Sequence, residues 1–382
     1  MAFLFWTCLG LIAYTYLIYP ILVNLLAALF QRKTRVPEID FPLVSMVVPA
    51  YNEEEVLEEK INNCLAIDYP GEGIEFLFGS DGSSDGTNRI LQSLDHPRIR
   101  PFLFPTREGK SSVLNKLIPE VEGSIVILSD ANSIYQPEAV KRLVSYFADP
   151  SIGGVCGRLD LVNISGKPGG EGEGLYWRFE NSIKQAESTL HSVISANGAI
   201  FAVRKDLYDP LPTKYILNDD FIITLQILRK HKRVIYEPLA VATESTAPNM
   251  EGEFTRKIRI SSLNFNSIPN ILPLLHPKYG FTALSLFSHK ILRWMVPLLG
   301  FGMLVSNIFL LNQGGLYPLL LAGQGLVYGG ALLGYLGDRF FGYSGPFIPF
   351  YYLAMINLAL VAGLWRSVTR SQEQAWKRVP RK

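Results

Sequence analysis

Two adjacent carboxylates, Asp219 and Asp220, open a predicted helix and are the strongest candidates for acid–base chemistry in this sequence. The apolar residues after them, at 221, 225 and 228, recur at helical spacing, and Asn218 is of a type favoured at an N-cap. Acidic residues in a first turn are also ordinary dipole stabilisation, so their position leaves both interpretations open. At a cleft, however, one carboxylate raises the pKa of its neighbour, which suits a general base.

A second candidate site is the triplet Asp130-Ala131-Asn132, which follows a predicted strand. Its two oxygen-bearing side chains can hold a hard divalent cation, Mg²⁺ or Mn²⁺, of the kind usually shared with phosphate. A helix cap ahead of Gln136 would use the same residue types. The triplet predicts a metal site only in combination with other signals.

Two further loops carry charged residues. Arg107-Glu108-Gly109-Lys110 precedes a predicted helix, and its cations can meet phosphate there, although the glycine spacing of a P-loop is missing. Asp81-Gly82-Ser83-Ser84-Asp85-Gly86 has the opening spacing of a calcium loop, but Gln92 stands at its twelfth position and a strand precedes it, which argues against calcium. A tight turn needs the same residue types.

These loops follow apolar, β-branched segments at 44–49, 75–78 and 124–128, which we predict to be strands. Strands that alternate with helical patterns indicate an α/β domain with a largely parallel sheet. Ligands of such sheets bind beyond the carboxyl ends of the strands. The carboxylates of the loops are therefore expected to face a common crevice.

Apolar segments flank this domain. Residues 1–30 are long enough for an N-terminal transmembrane helix, and the basic linker at 31–41 predicts that the α/β domain, 42–267, is cytoplasmic. An interfacial segment at 268–290 and about three transmembrane helices within 291–365 are predicted to follow. Three spans would leave the tail at 366–382 outside, whereas its basic residues favour the inside. A re-entrant or unrecognised segment is one explanation of this conflict.

Composition narrows the function classes. The 382 residues carry 36 basic and 34 acidic side chains, a net charge of +2 that gives no indication of nucleic-acid binding. Three cysteines, Cys8, Cys64 and Cys156, have neither disulfide nor zinc spacing. Few charges interrupt the predicted spans, so a transporter, or an inactive membrane scaffold, is the weaker alternative to an enzyme.

Taken together, these motifs resemble the family-2 glycosyltransferases of GT-A fold, in the membrane-integrated branch that includes cellulose, hyaluronan and poly-N-acetylglucosamine synthases. The segment 48–53 is similar to the family's first nucleotide loop, Asp130 to the start of its Asp-x-Asp metal motif, and Asp220 to the end of its Thr-Glu-Asp motif. The resemblance implies catalytic roles for Asp220, Asp219 and Arg259, and nucleotide binding by Pro49, Ala50, Tyr51, Glu53, Asp81, Lys110 and Asp130. It also implies acceptor binding by Asn197 and Gly198, phosphate binding by Arg256, Lys257 and Arg259, and Mg²⁺ or Mn²⁺ binding by Asp130 and Asn132.

Two departures from the family pattern bear on these expectations. Asn132 stands where the second Asp of the metal motif is expected. In the segment that resembles the family's Gln-x-x-Arg-Trp motif, Arg259 is retained, Arg256 replaces the Gln, and Ile260 replaces the Trp that would stack on a growing glycan. The resemblance implies an inverting transfer, from a UDP-sugar by default, to a glycan or lipid-linked acceptor at a bacterial plasma membrane. Because Ile260 offers no stacking surface, we expect single or few additions; the alternative is a processive polysaccharide synthase coupled to export. Two interfacial aromatics, Trp177 and Trp294, could supply a stacking surface for a glycan instead. The oligomeric state is not predicted.

Overall fold

The computed structural model describes residues 1–30, 40–70, 73–162, 168–213, 217–245, 250–343, 345–369 and 371, with the backbone alone at 168–173 and 175. Most of the predicted basic linker at 31–41, namely residues 31–39, and most of the basic tail at 366–382 lie outside these residues.

One mixed sheet forms the centre of the molecule. Its eight strands lie in the order β3-β2-β1-β4-β7-β6-β8-β5. The first four in this order are mutually parallel, β6 and β8 are also parallel, and β7 is antiparallel to β4 and β6. The strands are β1 (Val44–Ala50), β2 (Ile74–Asp81), β3 (Ile99–Phe104), β4 (Ile125–Leu128), β5 (Ile134–Tyr135), β6 (Ile152–Val162), β7 (Phe201–Arg204) and β8 (Arg233–Ser245). The prediction of an α/β fold is confirmed, with parallel pairing concentrated where the polar loops follow the strands.

Fourteen α-helices lie within the described ranges. They are α1 (Ala2–Ala13), α2 (Tyr19–Leu29), α3 (Glu54–Leu65), α4 (Thr87–Gln92), α5 (Lys110–Leu117), α6 (Ala139–Ser145), α7 (Pro168–Leu190), α8 (Asp219–Arg229), α9 (Met250–Asn266), α10 (Ile268–Ile271), α11 (Phe281–Ser285), α12 (Leu292–Leu310), α13 (Tyr317–Phe341) and α14 (Ile348–Thr369). The sheet together with α3 to α9 is called the sheet domain below.

Alternating side chains of the strands build an apolar core on each face of the sheet. In β1, Val44, Met46 and Val48 pack on the side of α3 and α6, whereas Val47 packs on the side of α5 and α8. This arrangement follows from the period of two along a strand that is buried on both faces. Helix α8 is buried throughout 221–228 and begins at Asp219, with Asn218 at the predicted N-cap position. The helix that opens with the two carboxylates is thus anchored in the core.

Four helical segments of the described residues are long and apolar enough to cross a membrane: Ala2–Leu29, Phe281–Gln313, Tyr317–Phe341 and Gly345–Thr369. π-helical turns join α1 to α2 and α11 to α12. The second segment begins at Phe281, inside the stretch predicted to be interfacial, and short helical turns between 268 and 279 precede it. The four segments agree in number with the predicted N-terminal helix and about three later ones, and the second begins further upstream than predicted.

Candidate functional site

A cavity of about 400 Å³ opens beyond the carboxyl ends of β1, β2 and β4, as expected for this sheet type. Two sides of it are distinguished below. The donor side is formed by the loops at 49–53, 81–86, 107–110 and 130–132. The other side is formed by α7 and α9 and is called the membrane-facing wall, because these helices pack against the apolar helices α2 and α14. All residues with a predicted site role line the cavity: Pro49, Ala50, Tyr51, Glu53, Asp81, Lys110, Asp130, Asn132, Asn197, Gly198, Asp219, Asp220, Arg256, Lys257 and Arg259.

Asp220 is fixed by backbone hydrogen bonds on both of its carboxylate oxygens. The N–H of Gly198 donates to Oδ2 at 2.8 Å, and the N–H of Phe221 donates to Oδ1 at 2.6 Å. Burial, followed by the negative charge of Asp219, raises the pKa of Asp220 to about 6 against the opposing effect of Lys110. A carboxylate with such a pKa can accept a proton near neutral pH more readily than an ordinary aspartate.

Lys110 connects the two carboxylate sites. Its Nζ lies 2.7 Å from Oδ1 of Asp130 and 3.0 Å from Oδ2 of Asp219. Burial lowers the pKa of Lys110, but the charges of the two aspartates outweigh burial and raise it above its usual value. The lysine is therefore a permanent positive charge at the centre of the cavity.

The segment predicted to bind the acceptor is held from α7. Lys184, which is buried, donates from Nζ to Oδ1 of Asn197 at 2.6 Å. At Gly198 a Cβ atom would lie 3.3 Å from Nζ of Lys110 and 3.4 Å from Oδ2 of Asp220. Glycine at this position lets the backbone N–H approach the carboxylate closely.

The loop that carries Asp130 and Asn132 is supported from below by a buried lysine. Lys60 donates from Nζ to Oγ of Ser129 at 2.7 Å and to the backbone carbonyl of Ser133 at 2.6 Å. Burial lowers the pKa of Lys60. Both ends of the loop are thus fixed by the same ammonium group.

The donor set of this loop fits a hard divalent cation that is shared with a diphosphate. One carboxylate, from Asp130, and one amide oxygen, from Asn132, stand two residues apart at the end of β4, and both side chains are half-buried against the cavity. Oxygen ligands of this kind suit Mg²⁺ and Mn²⁺, which keep several positions for phosphate and water. Lys110 already neutralises part of the charge of Asp130.

The far end of the donor side is built around Asp81. Its two carboxylate oxygens accept the backbone N–H groups of Glu108 and Gly109, each at 2.8 Å. Gly109 has a φ of 96°, a conformation that favours glycine, and it immediately precedes α5. The guanidinium of Arg107 lies 3.6 Å from the ring centroid of Tyr51. Asp81 therefore fixes the loop that begins α5 and places Lys110, in addition to lining the cavity.

On the membrane-facing wall, α9 carries the predicted phosphate-binding cations. Nε of Arg256 lies 2.8 Å from Oε2 of Glu253, and Nζ of Lys257 lies 3.3 Å from Oε1 of the same carboxylate. Glu253 is fully buried and also accepts a hydrogen bond of 3.0 Å from the hydroxyl of Tyr352 on α14. Arg256 and Lys257 reach the cavity, but their charges are already balanced in part by Glu253, and Arg259 lines the cavity one turn further along.

The charged residues of α7 were missed by sequence reasoning, whereas Trp177 was considered as a stacking surface. Trp177, Glu180 and Lys184 line the cavity, and they recur with Glu187 at spacings of three, four and three residues, which is one face of a helix. Glu180 binds Arg293 at 2.7 Å, and His289 lies between Glu180 and Glu187 at 3.2 and 3.0 Å. The recurrence of these mostly polar residues on one face of a predicted helix was the sequence pattern that could have identified this wall.

Trp294, considered at the sequence level as an aromatic surface for a glycan, does not serve that purpose. It is 8% exposed and packs against Phe221 and Phe265, with ring centroids 6.4 and 5.7 Å away. Trp177 does line the cavity, as does Ile260.

Comparison with known proteins identifies the central part of this architecture. Residues 45–211 match the family described as Glycosyl transferase family 2. The chain contains a family-2 glycosyltransferase domain. The matched range of this glycosyltransferase domain carries the donor side, Asn197 and Gly198, and ends before Asp219 and α9.

Curated relatives cover parts of the chain. The beta-monoglucosyldiacylglycerol synthase of Synechocystis sp. is 31% identical over 129 residues, 33% of this chain and 27% of the relative. The poly-beta-1,6-N-acetyl-D-glucosamine synthase of Staphylococcus aureus is 24% identical over 222 residues, 56% of this chain and 53% of the relative. The chain thus spans about half, or less, of the length of these relatives.

A solved structure matches over nearly the whole length. The mannosyltransferase PcManGT from Pyrobaculum calidifontis, in complex with GDP-Man and Mn²⁺, superposes with a TM-score of 0.67 at 22% identity. The match covers 97% of this chain and 100% of the mannosyltransferase. At this identity the likeness establishes the GT-A fold with its flanking apolar helices, in agreement with the sequence prediction.

Proposed function

We propose that the protein is an inverting glycosyltransferase that moves a sugar from a nucleoside diphosphate sugar to a hydroxyl group of a membrane-associated or glycan acceptor. The observation that carries this proposal is Asp220: a carboxylate with a raised pKa, held by two backbone N–H groups, in the same cavity as the nucleotide-type loops of the donor side. Enzymes that activate a hydroxyl group need such a base within reach of the acceptor.

In the proposed step, Asp220 accepts the proton of the acceptor hydroxyl while the hydroxyl oxygen attacks the anomeric carbon of the donor sugar. The new carbon–oxygen bond forms as the bond from the anomeric carbon to the β-phosphate oxygen breaks, and the nucleoside diphosphate leaves with the electron pair. A single displacement of this kind inverts the anomeric configuration. Asp219 supports Asp220 by raising its pKa and by holding Lys110.

Charge neutralisation of the leaving group is assigned to the cations around the cavity. Lys110, on the donor side, and Arg259, on the membrane-facing wall, both line the cavity and are suited to the diphosphate, as are Arg256 and Lys257 of the same helix as Arg259. A divalent cation held by Asp130 and Asn132 would supply further neutralisation of the diphosphate. Asp81, Tyr51 and Glu53 are assigned to the nucleoside. Asn197 and Gly198 are assigned to the acceptor, beside Asp220.

The donor and the compartment are part of the proposal. A UDP-sugar is the first donor to test, because of the family resemblance and of the hexosamine polymer in the name of the staphylococcal relative. GDP-mannose is the second, since the mannosyltransferase of the same fold was solved with GDP-Man. The apolar helices support integration in a membrane, and we propose the bacterial plasma membrane with the sheet domain in the cytoplasm.

A processive polysaccharide synthase remains the second candidate, and one observation favours it. Trp177 lines the cavity on the membrane-facing wall, where an aromatic ring can stack on a sugar. Ile260, at the position of the family's stacking Trp, favours single or few additions instead.

The test is a transfer assay with the purified full-length protein. Membrane lipid extract and short oligosaccharides are supplied as acceptors with a panel of labelled nucleotide sugars, with and without Mn²⁺, and the products are sized. Transfer by the unsubstituted protein, and its loss in Asp220→Asn with donor affinity retained, supports the proposal. Near-normal turnover of Asp220→Asn would contradict it, and long polymer made from nucleotide sugar alone would favour the second candidate.

A further inference from the structure

Helix α14 is bound to the sheet domain near both of its ends. The hydroxyl of Tyr352 donates to Glu253 at the start of α9, and the hydroxyl of Ser367 donates to Asn266 at the end of α9, at 3.0 and 2.7 Å. Between them, a Cβ atom at Gly363 would lie 2.5 Å from Cβ of Ser261. The two helices are therefore parallel neighbours over about 22 Å, at 1.5 Å per residue.

The other face of α9 restricts the depth at which this helix pair can lie. Five of its 17 residues are charged, and Arg256, Lys257 and Arg259 line the cavity of the proposed active site. Charged side chains are costly in the hydrocarbon core of a bilayer, and the cavity that they line is closed on its other side by the polar loops after β1, β2 and β4, which belong in water. Because α14 packs beside α9 along almost the whole length of α9, α14 lies at the same depth relative to the bilayer as the wall of the proposed active site.

The other apolar helices, unlike α14, extend away from the sheet domain. Phe5, near the start of α1, lies against Tyr317 at the start of α13, with ring centroids 5.5 Å apart, whereas Tyr19 at the start of α2 hydrogen-bonds Glu187 of the sheet domain. The first helical segment thus runs from the sheet domain to a remote end. Helix α13 begins at this remote end and returns, since Tyr351 at the start of α14 donates to Asp338 near the end of α13.

The exposed face of α14 is apolar and continues from the end of α13. Its largest exposed side chains are Leu358, Val361, Trp365 and Val368, between 50% and 72% exposed. An apolar helix face with a Trp near one end suits the boundary between lipid headgroups and acyl chains. The partner that fits this face is a lipid leaflet, because the bilayer that surrounds α12 and α13 extends to it.

We propose that α14 is a membrane-surface helix and not a fourth span. The apolar face of α14 rests on the leaflet nearest the sheet domain and holds α9, the wall of the active site, against the bilayer. Three crossings then remain, by α1, α12 and α13. With three crossings, the basic residues after Thr369 lie on the same side as the sheet domain, which removes the conflict between span count and basic tail.

The first experiment determines sides of the membrane and does not depend on enzymatic activity. Single cysteines are introduced into the full-length protein as Ser93→Cys in the sheet domain, Gln313→Cys between α12 and α13, and Ser371→Cys after α14, all at exposed positions. A membrane-impermeant maleimide is applied to intact spheroplasts and to inverted vesicles. The native cysteines are buried, and the unsubstituted protein gives the background. Labelling of Ser371→Cys together with Ser93→Cys is expected; labelling together with Gln313→Cys would overturn the proposal.

The second experiment measures depth. Leu353→Cys, Leu358→Cys and Val368→Cys carry a nitroxide label in lipid nanodiscs, and Leu326→Cys in α13 is the control for a span. Collision rates with oxygen and with a water-soluble nickel complex should give one shallow depth for the three positions of α14 and a deep one for Leu326→Cys. A deep Leu358→Cys between two shallow positions would indicate a span. Free access of the nickel complex to all three positions would show that the face lies in water, as a docking surface for a protein would. Either result overturns the proposal.

Discussion

The donor side and the membrane-facing wall of the cavity are built by different means. On the donor side, side chains are fixed by the loop in which they stand or by neighbouring strands, as when Asp81 binds the N–H groups of Glu108 and Gly109. On the wall, Glu180 and Glu253 bind Arg293 and Tyr352, which belong to helical segments about 100 residues further along the chain. The donor side is thus encoded by the strands and the loops that follow them, whereas the membrane-facing wall depends on how the apolar helices assemble.

The largest effect is expected at the base, where the two sides meet. Asp220→Asn removes the proton acceptor but retains the shape of the side chain, and it leaves the phosphate-facing cations in place. Turnover should fall by between about 10² and 10⁴, the range of general-base catalysis, with nucleoside diphosphate affinity changed only a few fold. Single-turnover kinetics and calorimetry measure the two quantities. A parallel loss of affinity would show that the variant damages the donor side instead.

The next prediction separates the wall from the rest of the molecule. Glu253→Gln removes the charge of a fully buried carboxylate that pairs with the half-buried Arg256 and Lys257, and removing one partner of such an ion pair should lower the free energy of unfolding by about 3 kcal/mol. Glu138→Gln, in an exposed pair with Arg142, is the matched control and should change it by less than about 0.5 kcal/mol. Urea titration in detergent gives both values. Equal stability of the two variants would mean that Glu253 does not support the wall.

The pH dependence of kcat/KM tests how the charges of Asp219 and Lys110 set the pKa of Asp220. A base with a pKa of about 6 must lose its proton to act, so activity should rise with pH through an acid limb near that value. Asp219→Asn removes a charge that raises the pKa of Asp220 and should move the limb to lower pH. Lys110→Met removes a charge that lowers the same pKa and should move the limb to higher pH. Lys116→Met, at the exposed end of the same helix, should not move it, and shifts of equal sign in the first two variants would refute this account.

The smallest effect is expected at Trp177, on the wall. If its ring stacks on the acceptor sugar, Trp177→Ala should raise the acceptor KM by roughly threefold to tenfold, with the donor KM unchanged. Trp177→Phe retains a ring and should recover most of the loss. An acceptor KM that is the same in all three proteins would remove Trp177 from the acceptor site and leave single addition as the favoured mode.

The donor side was accessible to sequence reasoning because each of its motifs is short and follows a strand. The periodicity of β1, β2 and β4 predicted that Asp81 and Asp130 would meet at one edge of the sheet, and they do line one cavity. The same reasoning predicted α8 with Asp219 and Asp220 at its start. Their shared location required only that parallel strands end at the same edge.

The wall was not accessible in this way. Lys184 reaches Asn197 across 13 residues, but Glu253 reaches Tyr352 across 99, and no local pattern specifies which distant partner a buried carboxylate selects. Hydropathy predicted a span at the end of 291–365 and could not report that the helix found there, Ile348–Thr369, contacts α9 near both of its ends. For the same reason Trp294 was expected at an interface, although it is buried between Phe221 and Phe265.

The buried Lys60 has a thermodynamic consequence for the donor. Its ammonium group fixes Ser129 and Ser133, and so the Asp130–Asn132 loop is ordered by a group that is present before any cation or nucleotide arrives. The conformational entropy of this loop is therefore lost during folding of the chain and not during each catalytic cycle. In the proposed reaction, every turnover would then begin with a loop backbone that needs no rearrangement, and the cost of ordering would fall on the incoming sugar nucleotide.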